Sequence, residues 1–234
     1  MVRAYLYLLV FIPLTLLFSV SSFLSTLLDS SGSAHAWHAR QWARLMLALN
    51  GVKVTVSGGE LIPEGPVIFM SNHQSNFDIL SLLAAMPRRF YWIAKKELFE
   101  IPLFGHTMRR GGYIPLDRSD GRKALQSLDE AAATIRQGKC VVLFPEGTRS
   151  ADGALLPFKR GGFVLARKAD VPVIPVTING SGRINPANQI RLYSGDISIT
   201  MHPPIVFPSD LRRSEAETWM MEQVQKQIDS SLEH

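Results

Sequence analysis

His73 and Asp78 stand five positions apart in Ser71-Asn72-His73-Gln74-Ser75-Asn76-Phe77-Asp78, between an apolar strand-like run (Pro66 to Met70) and a helix-like one (Ile79 to Met86). An imidazole held in one tautomer by a carboxylate is a general base able to take a proton from a hydroxyl near neutral pH. No strong nucleophile accompanies the pair, since the single cysteine, Cys140, sits in another apolar run. The hydroxyl to be activated therefore belongs to a substrate. On a continuous helix five residues turn about 500°, which would point the two side chains apart. The pair works only with His73 on a loop and Asp78 in the first turn of the helix that follows, capped by Ser75 or Asn76. The same residues also have a purely structural use. Ser75-x-x-Asp78 resembles a capping box with Asp in place of Glu, and His73 can be an ordinary loop histidine.

Those residues need a scaffold, and the hydrophobic pattern supplies one. Val52 to Val56 alternates with period two; Pro66 to Met70, Phe90 to Ala94, Tyr113 to Leu116, Cys140 to Phe144, Val171 to Ile178 and Ile197 to Met201 are further strand candidates. Helical stretches fall between and after them: Phe77 to Met86, Leu103 to Arg110, Asp120 to Gln137, Lys159 to Ala169 and Glu215 to Leu232. Asp120 caps the third, Gly138 ends it, and Ser214-x-x-Glu217 reads as a capping box for the last. The expected fold is α/β, a mixed sheet of about seven strands flanked by helices, mixed because some connections are too short for crossovers.

The first 50 residues differ in kind. From Ala4 to Leu28 no residue is charged, a run long enough to cross a hydrocarbon core. Pro13 and a Ser/Thr-rich second half also allow a kinked, re-entrant or interfacial helix. Ala34-His35-Ala36 resembles a signal-peptide cleavage site, but the apolar run exceeds the usual length of such a peptide's core. His38 to Leu49 mixes Trp42, Arg40 and Arg44 with aliphatics, as an interfacial or core-packed amphipathic helix would. Asn50-Gly51 stops it, giving a membrane-associated segment over 1–50 and a main domain over 51–234. Arg40, Arg44 and Lys53 follow the apolar run, which favours a cytoplasmic domain.

A net charge of +5 and a pI near 9.5 point to an anionic partner. One cysteine excludes an internal disulfide framework, and no histidine or cysteine spacing suggests a metal. Two further junctions carry charge where a strand ends. Gly112-Tyr113-Ile114-Pro115-Leu116-Asp117-Arg118 closes on an acid–base doublet, and Phe144-Pro145-Glu146-Gly147-Thr148-Arg149 on a Pro/Gly turn holding Glu and Arg. Ligands of open α/β sheets bind beyond the carboxyl ends of strands, where an arginine fork suits phosphate. Either junction also has a plain alternative, as a turn or a surface pair.

Asn72-His73-x-x-x-x-Asp78, Gly112 to Arg118, Phe144 to Ser150 and Val171-Pro172-Val173-Ile174-Pro175-Val176 resemble, in order and spacing, the four blocks of the glycerophospholipid acyltransferases. Lys96-Glu97-Leu98 with Pro102 to Gly105 looks like another family segment. The likeness covers roughly Leu45 to Phe207 and is nearest to the bacterial 1-acyl-sn-glycerol-3-phosphate acyltransferases. Many members have Phe-Ile-Asp-Arg where this chain has Ile114-Pro115-Leu116-Asp117-Arg118. The resemblance implies acyl transfer from acyl-CoA or acyl-carrier protein to a lysophospholipid hydroxyl in phospholipid biosynthesis, with no cofactor and no nucleic acid. It implies His73 and Asp78 as catalytic. Arg118 and Arg149 would hold the acceptor phosphate, with Glu146, Gly147 and Thr148 shaping the pocket and Lys96 a further candidate. It places the chain on the cytoplasmic face of a membrane, such as a bacterial inner membrane. Lyso-ornithine lipid, another lysophospholipid or glycerol 3-phosphate are alternative acceptors. A non-catalytic protein that binds anionic lipid and a thioester hydrolase are the alternatives of other classes.

Overall fold

Ile68, Phe69 and Met70 are all fully buried, so the strand they form has a covered face on both sides and reads as a continuous apolar run. In the computed structural model, which describes residues 2–29, 31–117, 120–187 and 189–233, this strand is the middle of the sheet. The strands are β1 (Val52–Ser57), β2 (Ile68–Ser71), β3 (Tyr91–Lys95), β4 (Ile114–Leu116), β5 (Val141–Leu143), β6 (Val173–Asn179) and β7 (Gly195–Met201). Their order is β1-β7-β6-β2-β5-β3-β4. All neighbours are parallel except β6 and β7, which run antiparallel. The expected mixed sheet and its seven strands are present, each within a few residues of the run that pointed to it.

The helices are α1 (Val2–Leu28), α2 (Ser33–Leu49), α3 (Asn76–Ala85), α4 (Phe104–Arg110), α5 (Gly121–Arg136), α6 (Gly161–Ala169), α7 (Ser181–Ile184) and α8 (Arg213–Asp229). Successive strand residues point to opposite faces. Phe69, Val142 and Ile174 pack with Met46 of α2 and with Leu80 and Leu82 of α3. Ile68, Val141 and Val173 pack on the other face, with Ile135 of α5, Phe163 of α6 and Val224 of α8. The result is three layers. Asp120 caps α5 as expected, accepting from the Arg122 and Lys123 N–H groups. The start of α8 differs: its first turn is closed by Glu215, which accepts from the Arg212 N–H. Glu217 is instead buried between Arg160 at 2.7 Å and Arg167 at 2.6 Å, tying α8 to α6. A glutamate with two arginine partners gains more there than at an exposed cap.

α1 and α2 form an antiparallel hairpin over α3. Its turn is set by Asp29, whose carboxylate accepts from Ser31 N–H and from Ala34 N–H and caps α2. Those hydrogen bonds hold the Asp29 carboxyl down at about 2. α2 thus begins at Ser33, and Ala34-His35-Ala36 is helix, not an extended cleavage segment. Ala4, Tyr7, Phe11, Phe18, Ser22 and Thr26 follow helical spacing and face the protein, with Tyr7 against Phe77 and Phe11 against Trp42. The outer face is a stripe of Leu6, Leu9, Ile12, Leu16, Leu17 and Leu27, each more than half exposed. Such a stripe is far larger than a soluble surface carries without a partner, and lipid is the matching solvent.

His35 is the titratable group that makes this hairpin acid-sensitive. It is buried, with Nδ1 3.0 Å from Ser22 Oγ and its ring edge-on to Tyr113. Burial, helped by the nearby Arg89 charge, lowers its pKa from 6.5 to about 4. The folded chain keeps His35 neutral while the unfolded chain takes up a proton below 6.5. Stability is therefore expected to fall as pH drops from about 6.5 to 4, by roughly 3 kcal/mol at the bottom of that window. Denaturant melts across this range should show the slope, and His35→Phe should flatten it.

Candidate active site

Strand register assembles the site. Met70 pairs with Leu143, and Ile93 to Lys95 pair with Ile114 to Leu116, all in parallel. Parallel strands end at the same edge of the sheet, so the segments after β2, β3, β4 and β5 meet there. His73 and Glu146 each lie three residues beyond the Met70–Leu143 pair. The His73 N–H accordingly donates to Glu146 Oε1 at 2.6 Å.

The turn from β2 to α3 is fixed from both ends. Asn72 is buried and zips onto β6, its Nδ2 donating to the Ile178 carbonyl and its Oδ1 accepting from the Ile178 N–H, at 2.8 and 2.7 Å. Ser75 is the α3 N-cap and accepts from the Phe77 N–H. Asp78, fully buried in the first turn, gathers three donors on Oδ2: His73 Nδ1–H at 2.8 Å, Gln74 N–H at 2.7 Å and Ser75 N–H at 2.8 Å. The helix dipole adds positive potential at this end. Asp78 is thus both cap and orienting carboxylate. Because a carboxylate only accepts, the Nδ1 proton is on His73 and Nε2 carries the free lone pair. The ring lies flat on Phe144, centroids 3.9 Å apart and planes 9° from parallel. That stacking, absent from the sequence reading, leaves the imidazole a single orientation.

The turn after β5 is equally well tied. Glu146 is buried, and its second oxygen accepts from the Leu156 N–H at 2.9 Å. Burial raises its pKa, and the two backbone donors oppose that rise. Glu146 therefore braces the main chain of His73. The Ser150 N–H donates to the His73 carbonyl, a second strap between the two turns. Gly147 has φ +71°, and a Cβ there would lie 2.8 Å from the Lys159 ammonium. That left-handed backbone favours glycine, and a larger residue would also push the Lys159 side chain aside. Lys159 is thereby a cation against the same turn. Thr148 is exposed and Arg149 half-buried; among the described residues no carboxylate pairs with Arg149. Lys96 reaches Asp117 at 3.3 Å, across the register pair of β3 and β4. Arg118 lies outside the described residues.

Two apolar cavities flank α3. One, of 360 Å³, runs from His73 and Phe144 to His35 and Tyr113 beneath α1 and α2. The other, of 530 Å³, lies between α1, α3 and the chain after α7. Trp42 and Ile79 line both. The Trp42 indole N–H donates to Thr15 Oγ1 of α1 at 3.1 Å, which fixes the ring where the two spaces abut.

Comparisons with known proteins give the chain its relatives. A family model described as Acyltransferase matches residues 53–179. A chloroplastic 1-acyl-sn-glycerol-3-phosphate acyltransferase of Brassica napus is 37% identical over 174 residues, covering 73% of this chain and 50% of that protein. The human 1-acyl-sn-glycerol-3-phosphate acyltransferase alpha is 36% identical over 168 residues, covering 69% and 59%. The chain thus spans about half the length of the curated relatives it matches. The crystal structure of the 1-acyl-sn-glycerophosphate acyltransferase of Thermotoga maritima superposes with a TM-score of 0.80 at 26% identity, covering 98% of this chain and 96% of that one.

Proposed function

Because the chain belongs to the acyltransferase family, we propose that it moves a fatty acyl group from a thioester onto the free hydroxyl of 1-acyl-sn-glycerol 3-phosphate, giving phosphatidic acid. One observation carries this reading: a histidine with Nδ1 committed to a buried carboxylate lines an apolar cavity. His73 Nε2 takes the proton of the acceptor hydroxyl as its oxygen attacks the thioester carbonyl carbon. The tetrahedral adduct collapses with loss of the C–S bond, and the imidazolium returns its proton to the leaving thiolate. An ester and a free thiol result, with no acyl-enzyme. The cavity beside His73 suits the donor's acyl chain, with the thioester at its mouth. Arg149, supported by Lys159 and by Arg118 through the motif, is the candidate for the acceptor phosphate. The apolar stripe of α1 supports docking on a membrane, where lysophospholipid resides. Arg40, Arg44 and Lys53 beyond it favour a cytoplasmic face.

The test is donor consumption and lipid product analysis with lysophosphatidic acid, using acyl-CoA and acyl-carrier protein in parallel. Phosphatidic acid should appear in step with free thiol. Thiol release that needs no acceptor would instead mark a hydrolase. Competition by glycerol 3-phosphate or lyso-ornithine lipid ranks the acceptors. Arg149→Ala should raise KM for a phosphate-bearing acceptor about tenfold or more, the loss of a charge-assisted contact.

A further inference from the structure

We propose that the second apolar cavity, which abuts the first at Trp42 and Ile79, receives the acyl tail of the lysophospholipid acceptor, with Arg149 and Arg191 at its rim facing the phosphate. The proposal rests on the acyl-transfer reading and adds to it a second lipid site. Acyl transfer to a lysolipid brings two long chains to one imidazole, and a single apolar cavity would have to hold both. Here two cavities open under the α1–α2 hairpin and abut at Trp42 and Ile79, and of the two only the first is lined by His73.

The second is built for an anionic amphiphile. Its walls are Leu8 and Phe11 of α1, Leu80 of α3 and Ile190, while Arg149 and Arg191 also line it. Among the described residues neither arginine pairs with a carboxylate, so their charge is unspent. The cavity is also coupled to the catalytic turn. The Asn185 carbonyl accepts from the Ser75 hydroxyl at 2.9 Å, and Asn185 Nδ2 donates to the Arg191 carbonyl at 3.0 Å. The α3 N-cap and the loop bearing Ile190 and Arg191 are therefore held by one residue. A lysolipid with its tail here has its headgroup beside the turn that carries His73.

Two variants fill the cavity from opposite walls, both at exposed positions: Leu8→Trp on α1 and Ile190→Trp on the loop. The measurement is the ratio of kcat/KM for palmitoyl and hexanoyl lysophosphatidic acid, with the donor used by the wild type. Each variant should lower that ratio about tenfold, the usual scale for excluding a few methylenes from an apolar pocket. Arg191→Ala should raise KM for both acceptors and leave the ratio alone. A ratio unchanged in both tryptophan variants overturns the proposal. So does a shift in preference between palmitoyl and hexanoyl donors, which would make this the donor's cavity. Wild type that makes no phosphatidic acid fails separately, overturning the acyl-transfer reading and this proposal with it.

Discussion

Replacing His73 by alanine is expected to cut acyl transfer about 10³-fold, within the range of a positioned general base, while the protein stays folded. The acceptor hydroxyl is a poor nucleophile until its proton has somewhere to go, and His73 Nε2 is the base that the fold orients. The loss should fall on kcat, since neither cavity depends on the imidazole for its walls beyond its own edge. The fold survives because Asp78 keeps two of its three donors, the Gln74 and Ser75 N–H groups. What is lost is the hydrogen bond from His73 Nδ1 to Asp78 and the stack on Phe144, the latter about 1 kcal/mol by the usual worth of an aromatic pair. Steady-state turnover beside a thermal melt separates the two effects. A variant retaining turnover within a few-fold of wild type would sink the mechanism.

The second large effect is expected at Asp78→Asn. Its amide oxygen can still accept from the turn, but the negative charge that stabilises an imidazolium is gone, and the tautomer is no longer enforced. Turnover should fall about 10² to 10³-fold with KM little changed. Stability should fall too, because the amide NH2 would take the place of Oδ1, a buried atom without a hydrogen-bond partner among the described residues. An unsatisfied buried donor costs about 1–3 kcal/mol. The double variant with His73→Ala should be scarcely slower than His73→Ala alone, since the carboxylate acts through the imidazole. Multiplying losses would mean that Asp78 has a catalytic effect of its own.

The strands and most helices were legible because their patterns are local: period two in Val52 to Val56, a buried run at Pro66 to Met70, Asp120 before a helix. The geometry of His73 and Asp78 was legible for the same reason, since five residues admit only one arrangement that lets them touch. Strand order was not, because pairing β2 with both β5 and β6 joins segments more than 70 residues apart. The work of Asn72 on Ile178, of Phe144 under His73 and of Asn185 on Ser75 was hidden likewise. What Glu146 touches was hidden too, since the parallel register that turns it inward onto the His73 N–H joins distant segments. Glu217 misled, since its arginine partners come from a different helix.

That register has a consequence for how this protein can change. His73 and Glu146 meet because β2 and β5 leave the Met70–Leu143 pair in step, with equal lengths of chain still to run. The two strands act as a common ruler. One residue inserted between Ile68 and His73 would advance the histidine by about 3.3 Å and turn alternate side chains over, breaking the bond to Glu146 and the stack on Phe144 together. The segments entering β2 and β5, at the opposite edge, are tied to no catalytic group. Insertions and deletions should therefore survive in the turns around 62–65 and 137–139 and be rejected just past the strands, so that the molecule varies in length at one edge and is fixed in length at the other.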